Sequence, residues 1–94
     1  MIKAVTKMSL FSSRFKKAFR EILNKSGLSC YKVSKYSHID EPYLSRLIRG
    51  ERKNPSEETV TKIALAIAHL SDRITIYDID ELFKSIGHSL FREK

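Results

Sequence analysis

Apolar residues return at helical intervals through most of the chain. Between Ser12 and Lys25, the residues Phe15, Ala18, Phe19, Ile22 and Leu23 recur at i, i+3, i+4, i+7 and i+8, with Arg14, Lys16, Lys17 and Arg20 off that face. Ser12 or Ser13 can cap the start, and Gly27 suits the left-handed position after the end. A first helix over 12–26 follows. The next stretch, LSCYKVSKYSHIDEPYLSRLIRG, holds two short helices, 29–36 and 40–49. Ser29 is an N-cap candidate for one and Asp40 for the other. Pro42 fits only the first turn, where its missing N–H costs no hydrogen bond. Leu44, Leu47 and Ile48 point inward from the second of them, which ends at Gly50. After a polar loop, Ser56 caps a helix over 57–70, with Glu57 and Glu58 in its first turn. That helix carries Val60, Ile63, Ala64 and Ile67 on one stripe, widened by Leu65, Ala66, Ala68 and Leu70, as in a buried central helix. A last helix, 78–86, presents Ile79, Leu82, Phe83 and Ile86 on one face and stops at Gly87. The expected fold is all-α, with five helices and a core of Phe15, Phe19, Ile22, Val33, Leu44, Leu47, Ile63 and Ile67.

Ninety-four residues set one domain as the expectation, and 41% hydrophobic content suffices for one small core. The longest uninterrupted apolar run, Ile63 to Ala68, is six residues, far short of the ~20 needed to cross a bilayer. No apolar stretch near the start has the length of a secretory signal. The single cysteine, Cys30, rules out an internal disulfide framework and fits a reducing compartment, so a cytoplasmic location is expected.

Charge changes the picture. The net charge is +7, but residues 1–27 hold seven bases and one acid, residues 28–55 six bases and three acids, and residues 56–94 five bases and seven acids. A basic front and a mildly acidic rear suit a polyanion approaching one side, nucleic acid before a membrane surface. The chain divides accordingly into a basic N-terminal arm (1–11), a central helical domain (12–70) and a C-terminal helix and tail (71–94).

The two short helices joined by a tight break at 37–39 have the layout of a helix-turn-helix. With Leu44, Leu47 and Ile48 inward, Pro42, Ser45, Arg46 and Arg49 project outward, Tyr43 lies on the flank and Glu41 at the exposed start. These six are the base-reading candidates, because such a helix can enter a major groove roughly 12 Å wide. A solvated helix face has the same polarity, and Arg46 pairing with Glu41 or Asp40 is the competing account of that side chain. Gly27-Leu28-Ser29, Val33-Ser34, Ile39, Leu44, Ser45-Arg46-Leu47, Arg49-Gly50 and Pro55-Ser56, in this order and spacing, resemble the Cro/lambda-repressor (xenobiotic-response-element) type of helix-turn-helix, with the motif at about 29–49. The resemblance covers about residues 14–70. It implies a compact helical domain that binds double-stranded DNA, usually as a dimer, and regulates transcription. The chain departs from the family pattern with Cys30 where Gln is frequent, Ser34 where Ala is usual, His38 where Gly is common at the turn, and Ile48 where a Glu often stands.

Phosphate contacts are expected around the rim of the reading helix, from Ser29, Lys32, Lys35, Arg52, Lys53 and Asn54. Enzymatic readings find no support. Gly27, Gly50 and Gly87 are too far apart for a phosphate loop, and His38, His69 and His88 lack metal-ligand spacing to one another or to Cys30. No catalytic residue, metal or cofactor is expected. Two functions remain open: a repressor-type regulator dimeric on DNA, or a protein-interaction module, such as the antitoxin of a toxin pair, contacting its partner through residues 71–94. The apolar residues Leu82, Phe83, Ile86, Leu90 and Phe91 are the candidates for a dimer or partner contact, and whether they cover the core separates the two.

Overall fold

The computed structural model describes the backbone of residues 3–51 and 55–87, and side chains within those ranges from residue 14 onward. Among the described residues the chain forms helices α1 (Lys3–Ser26), α2 (Cys30–Ser37), α3 (Glu41–Arg49), α4 (Glu57–Leu70) and α5 (Ile76–Lys84). The substantial packing pairs are α1 with α3, α3 with α2, α2 with α4, α4 with α5 and α5 with α1. Each helix therefore has two principal neighbours, and the five close a ring around one core.

That core is built from Phe15, Phe19, Ile22 and Leu23 of α1, Val33 of α2, Leu44 and Leu47 of α3, Val60, Ile63, Ala64, Ala66 and Ile67 of α4, and Ile79, Leu82 and Phe83 of α5. All eight residues expected inside are there. The Phe15 and Phe19 rings lie 5.4 Å apart with a 41° tilt, an arrangement favoured by the ring quadrupoles. The buried hydroxyls are satisfied locally: Ser26 Oγ donates to the Leu23 carbonyl and accepts from the Leu28 N–H, and Ser85 Oγ donates to the Leu82 carbonyl.

Three expectations are revised. α1 starts at Lys3, so residues 3–11 of the segment read as a basic arm are helical and continuous with the rest of α1. Ala4, Met8 and Phe11 stand at helical spacing to Phe15, and Ser12 and Ser13 lie inside the helix instead of capping it. α4 is not buried all round. Leu65 is 63% exposed, and Ala68 and Leu70 also face solvent, because α2 and α5 cover only one side of the helix. α5 begins at Ile76 and its N-cap is Thr75, whose hydroxyl accepts from the Asp78 N–H while Asp78 accepts from the Thr75 N–H at 2.8 Å. This is a capping box, which the Ile74-Thr75-Ile76 alternation concealed. Asp78 also accepts from Lys25 Nζ at 2.8 Å, tying α5 to the end of α1. Burial pushes the Asp78 carboxyl up, but the hydrogen bonds from Lys25 and Thr75 outweigh it, and the pKa ends below the ordinary Asp value.

Two outcomes are expected. Leu47 is 1% exposed, and Leu47→Ala should cost ~2–5 kcal/mol in chemical denaturation, as a buried large-to-small change; a loss below about 0.5 kcal/mol would place the side chain elsewhere. Asp78 has a depressed folded pKa, so its contribution is fully present above its unfolded value near ~4 and is lost as the pH falls through the folded value. The stability gap between wild type and Asp78→Asn should be open at pH 7 and close in acid; a gap independent of pH would contradict this.

Candidate nucleic-acid interface

The turn between α2 and α3 decides which side chains face outward. His38 ends α2 at φ 63°, ψ 26°, with its N–H donating to the Ser34 carbonyl at 2.9 Å. This is the left-handed conformation, in which His is less rare than most non-glycine residues. Two serines fix the other side of the turn. Ser34 Oγ donates to the Ile39 carbonyl, and Ser37 Oγ accepts from the Ile39 N–H at 3.3 Å. Ser34 therefore does more than fill the small-residue position: its hydroxyl ties the middle of α2 to the chain entering α3. The sequence marks it only as a departure from the usual Ala, and the fold brings it to Ile39.

From that turn α3 enters with Asp40 at its N-cap, although the Asp40 side chain makes no capping hydrogen bond. Glu41 occupies the first turn, with Pro at its permitted position beside it. Leu44 and Leu47 insert into the core, so Glu41, Pro42, Arg46 and Arg49 are exposed, while Ser45 and Tyr43 are half-buried and Tyr43 packs against the core. The structure thus brings the six base-reading candidates onto one short helix. The Arg46 side chain makes no hydrogen bond or ion pair with the described residues, although its charge acts on Glu51, and the pairing with Glu41 or Asp40 does not form. Arg49 is engaged instead. Its Nε and Nη2 donate to the two Glu51 carboxylate oxygens at 2.8 and 3.1 Å. That bidentate hydrogen bond, with the attraction of the charges, raises the Arg49 pKa, and it lowers that of Glu51.

Around α3, Ser29 caps α2 by accepting from the Lys32 N–H at 3.2 Å. Lys32 and Lys35 are exposed on α2, and the Lys35 ammonium stands 5.6 Å from the Tyr31 ring centroid. The phosphate candidates Arg52, Lys53 and Asn54 lie outside the described residues. Cys30, at the start of α2, is half-buried; burial first, and the negative charge of Glu41 second, raise its thiol pKa. It is accordingly a poor nucleophile at neutral pH. His69 stacks on Tyr36, ring centroids 4.5 Å apart and planes at 19°, joining α4 to α2. Among the described residues no three His, Cys, Asp or Glu side chains gather as a metal site, and no helix is long and apolar enough to cross a membrane.

The family model Helix-turn-helix matches residues 19–68, just over half of the chain. The chain belongs to the Cro/C1-type helix-turn-helix family. The matched span runs from Phe19 in α1 to Ala68 in α4 and contains the whole of α2, the turn and α3. It is a family of DNA-binding regulators. No curated protein and no solved structure matches the chain.

The turn chemistry is open to test. Ser34→Ala should cost about 0.5–1.5 kcal/mol through the lost tie to Ile39. His38→Gly should stabilise by about 0.5–1 kcal/mol, since glycine adopts the left-handed conformation without the Cβ clash. A His38→Gly variant that melts lower than wild type would show that the imidazole itself holds the turn.

Proposed function

We propose that this helix-turn-helix protein is a sequence-specific regulator of repressor type, acting in the cytoplasm as a two-fold dimer on double-stranded DNA. The observation that carries the reading is Arg46, exposed on α3 and free of ion pairs among the described residues, on a helix that two leucines and a tied turn hold in place. A guanidinium in that setting can pair with both O6 and N7 of a guanine. Pro42 and Tyr43 suit contact with a thymine methyl, and Ser45 permits close approach. Glu41 suits a cytosine amine. Arg49 is placed between reading bases and meeting backbone, because its pair with Glu51 has to open first. Ser29, Lys32 and Lys35, with Arg52, Lys53 and Asn54, supply affinity without sequence preference.

The dimer rests on reach: one recognition helix covers only a few base pairs, too few to select a site in a genome. Part of the contact expected from the sequence is occupied within the fold. Leu82 and Phe83 are consumed in the core, Ile86 packs partly against it, and Leu90 and Phe91 lie outside the described residues. Leu65 and Ile76, which are 63% and 53% exposed, are among the large apolar side chains at the surface that a second copy would cover. The alternative, a partner-protein module using residues 71–94, loses support for the same reason: the apolar face of α5 covers the core, as it does in a plain DNA binder. The burial of that face supports treating α5 as part of the same domain.

Selection from random duplexes with the purified protein tests the reading directly, and should return a pseudo-palindrome with half-sites about 34 Å apart. With about five phosphates met per subunit, log K should fall with a slope of about −4.5 per subunit against log salt; no binding in dilute salt would remove the regulator reading. Arg46→Ala should cost ~1–3 kcal/mol on the selected site and flatten the preference at one base pair per half-site. Arg52→Ala should weaken all duplexes alike and reduce the slope by about 1. If Arg46→Ala leaves every base preference intact, Arg46 does not read the sequence.

A further inference from the structure

One part of the surface serves neither the core nor the outward face of α3. On α2, Tyr31 and Lys35 stand one turn apart, as do Lys32 and Tyr36, and with Leu70 at the end of α4 they line an open groove of about 440 Å³. Tyr31, Tyr36 and Leu70 are all exposed there. A single exposed apolar side chain is ordinary, but three around one groove mark a contact surface. The rim is cationic. Lys32 and Lys35 are exposed, neither forms an ion pair with the described residues, and no acid lines the groove. Both rings are held in place: His69 stacks on Tyr36, and the Lys35 ammonium stands over Tyr31.

We propose that this groove receives an acidic segment of a partner protein, with an apolar side chain seated against Tyr31, Tyr36 and Leu70 and carboxylates on Lys32 and Lys35. Charge selects the occupant. A basic segment would be repelled by two unpaired ammonium groups, and a neutral apolar one would desolvate them without return. A nucleic-acid strand also supplies anions, but bases need open ring faces on which to stack. Here His69 and Lys35 each take one face, and Leu70 offers none. A small acid is poorly served too, because an open groove cannot enclose most of a small ligand's surface. The site lies outside residues 71–94, the segment expected from the sequence to meet a partner. Lys32 and Lys35 are also phosphate candidates. On the DNA-binding reading, on which this one step rests, the segment and a duplex draw on the same two charges, so each weakens the binding of the other.

The test uses the full chain and a fluorescent peptide with a central Leu-Phe pair and three Glu on either side, followed by anisotropy in dilute salt. Binding should saturate at one peptide per chain, and amide NMR shifts should centre on α2 and the end of α4. Replacing the Leu-Phe pair by two Ser, with every acid kept, should weaken binding about ten-fold. Lys35→Glu should weaken it at least about three-fold, whereas Lys62→Glu, the same change of net charge elsewhere on the surface, should not. Tyr31→Ser, at an exposed position, tests the apolar contact without opening the core. Equal binding of the Ser-Ser peptide, or equal effects of Lys35→Glu and Lys62→Glu, reduces the interaction to diffuse charge and overturns the proposal. A thymidine oligonucleotide that binds more tightly than the peptide, and loses that binding in Tyr31→Ser, makes the groove a base-stacking site and overturns it as well. A selected duplex in excess should release the peptide. Peptide and duplex held in one complex overturns the competition and leaves the docking site. A wild type that binds peptide but no duplex removes the DNA-binding reading and leaves the docking site standing.

Discussion

The surface offered by α3 depends on one backbone geometry, the reversal at His38 between α2 and α3. A non-glycine residue at φ 63° is held only where its surroundings supply the compensation. Here the His38 N–H closes the end of α2 on Ser34, and the Ser34 and Ser37 hydroxyls take both main-chain groups of Ile39. If the turn relaxed, Leu44 and Leu47 would leave the core and the outward face of α3 would rotate with them. The orientation of the outward face of α3 and the stability of the fold are therefore coupled through the same few atoms.

The ring of helices explains how so small a core can hold such a surface. α1 touches α3 on one side and α5 on the other, and α4 closes the circuit through α2 and α5. Much of the long-range tying is polar and sits at helix ends: Arg20 on the Ile48 carbonyl, Lys25 on Asp78, and the Ser71 hydroxyl donating to the Ser26 carbonyl at 3.3 Å. These join the C-terminal part of α1 to α3, α5 and the exit of α4. Exposed charge pairs of this kind add little stability individually, but each fixes the angle at which a helix meets its neighbour. Apolar burial supplies the energy, and the end contacts choose among arrangements of similar burial.

Helix positions and the core were legible in the sequence because one chemical pattern, apolar residues at 3.6-residue spacing, determines both. Legibility failed where two signals competed. Ser12-Ser13 carried a capping signal inside a continuing apolar stripe, and the stripe prevailed. Ile74 and Ile76 alternate with polar residues and mark no helix start, whereas Thr75 is the cap of α5. The apolar breadth of α4 suggested burial on all sides, yet with two helix neighbours it leaves Leu65 in water. In the candidate site, the outward set on α3 followed from the inward leucines. The ties that hold α3 did not. Ser34 to Ile39 and Arg20 to Ile48 end on main-chain oxygens, which every residue possesses and which no side-chain pattern marks.

The charges at the two ends of α3 impose one further constraint on how the helix meets DNA. Asp40 and Glu41 stand at its start, where the helix dipole favours them. They stabilise the free protein, but phosphates repel them, and Glu41 gains on DNA only if it reaches a base donor such as a cytosine amine. At the other end, Arg49 is held by Glu51, and Lys16 and Arg20 add charge from α1. Attraction to the backbone is therefore concentrated at the C-terminal end of α3, and repulsion at its start. A helix charged in this way cannot lie evenly along two phosphate strands. On the proposed reading it enters start-first toward the base edges, with its far end against the backbone. In the proposed orientation Arg46 lies between the two ends, one turn past Asp40 and Glu41, and Glu51 is the acid whose field it shares.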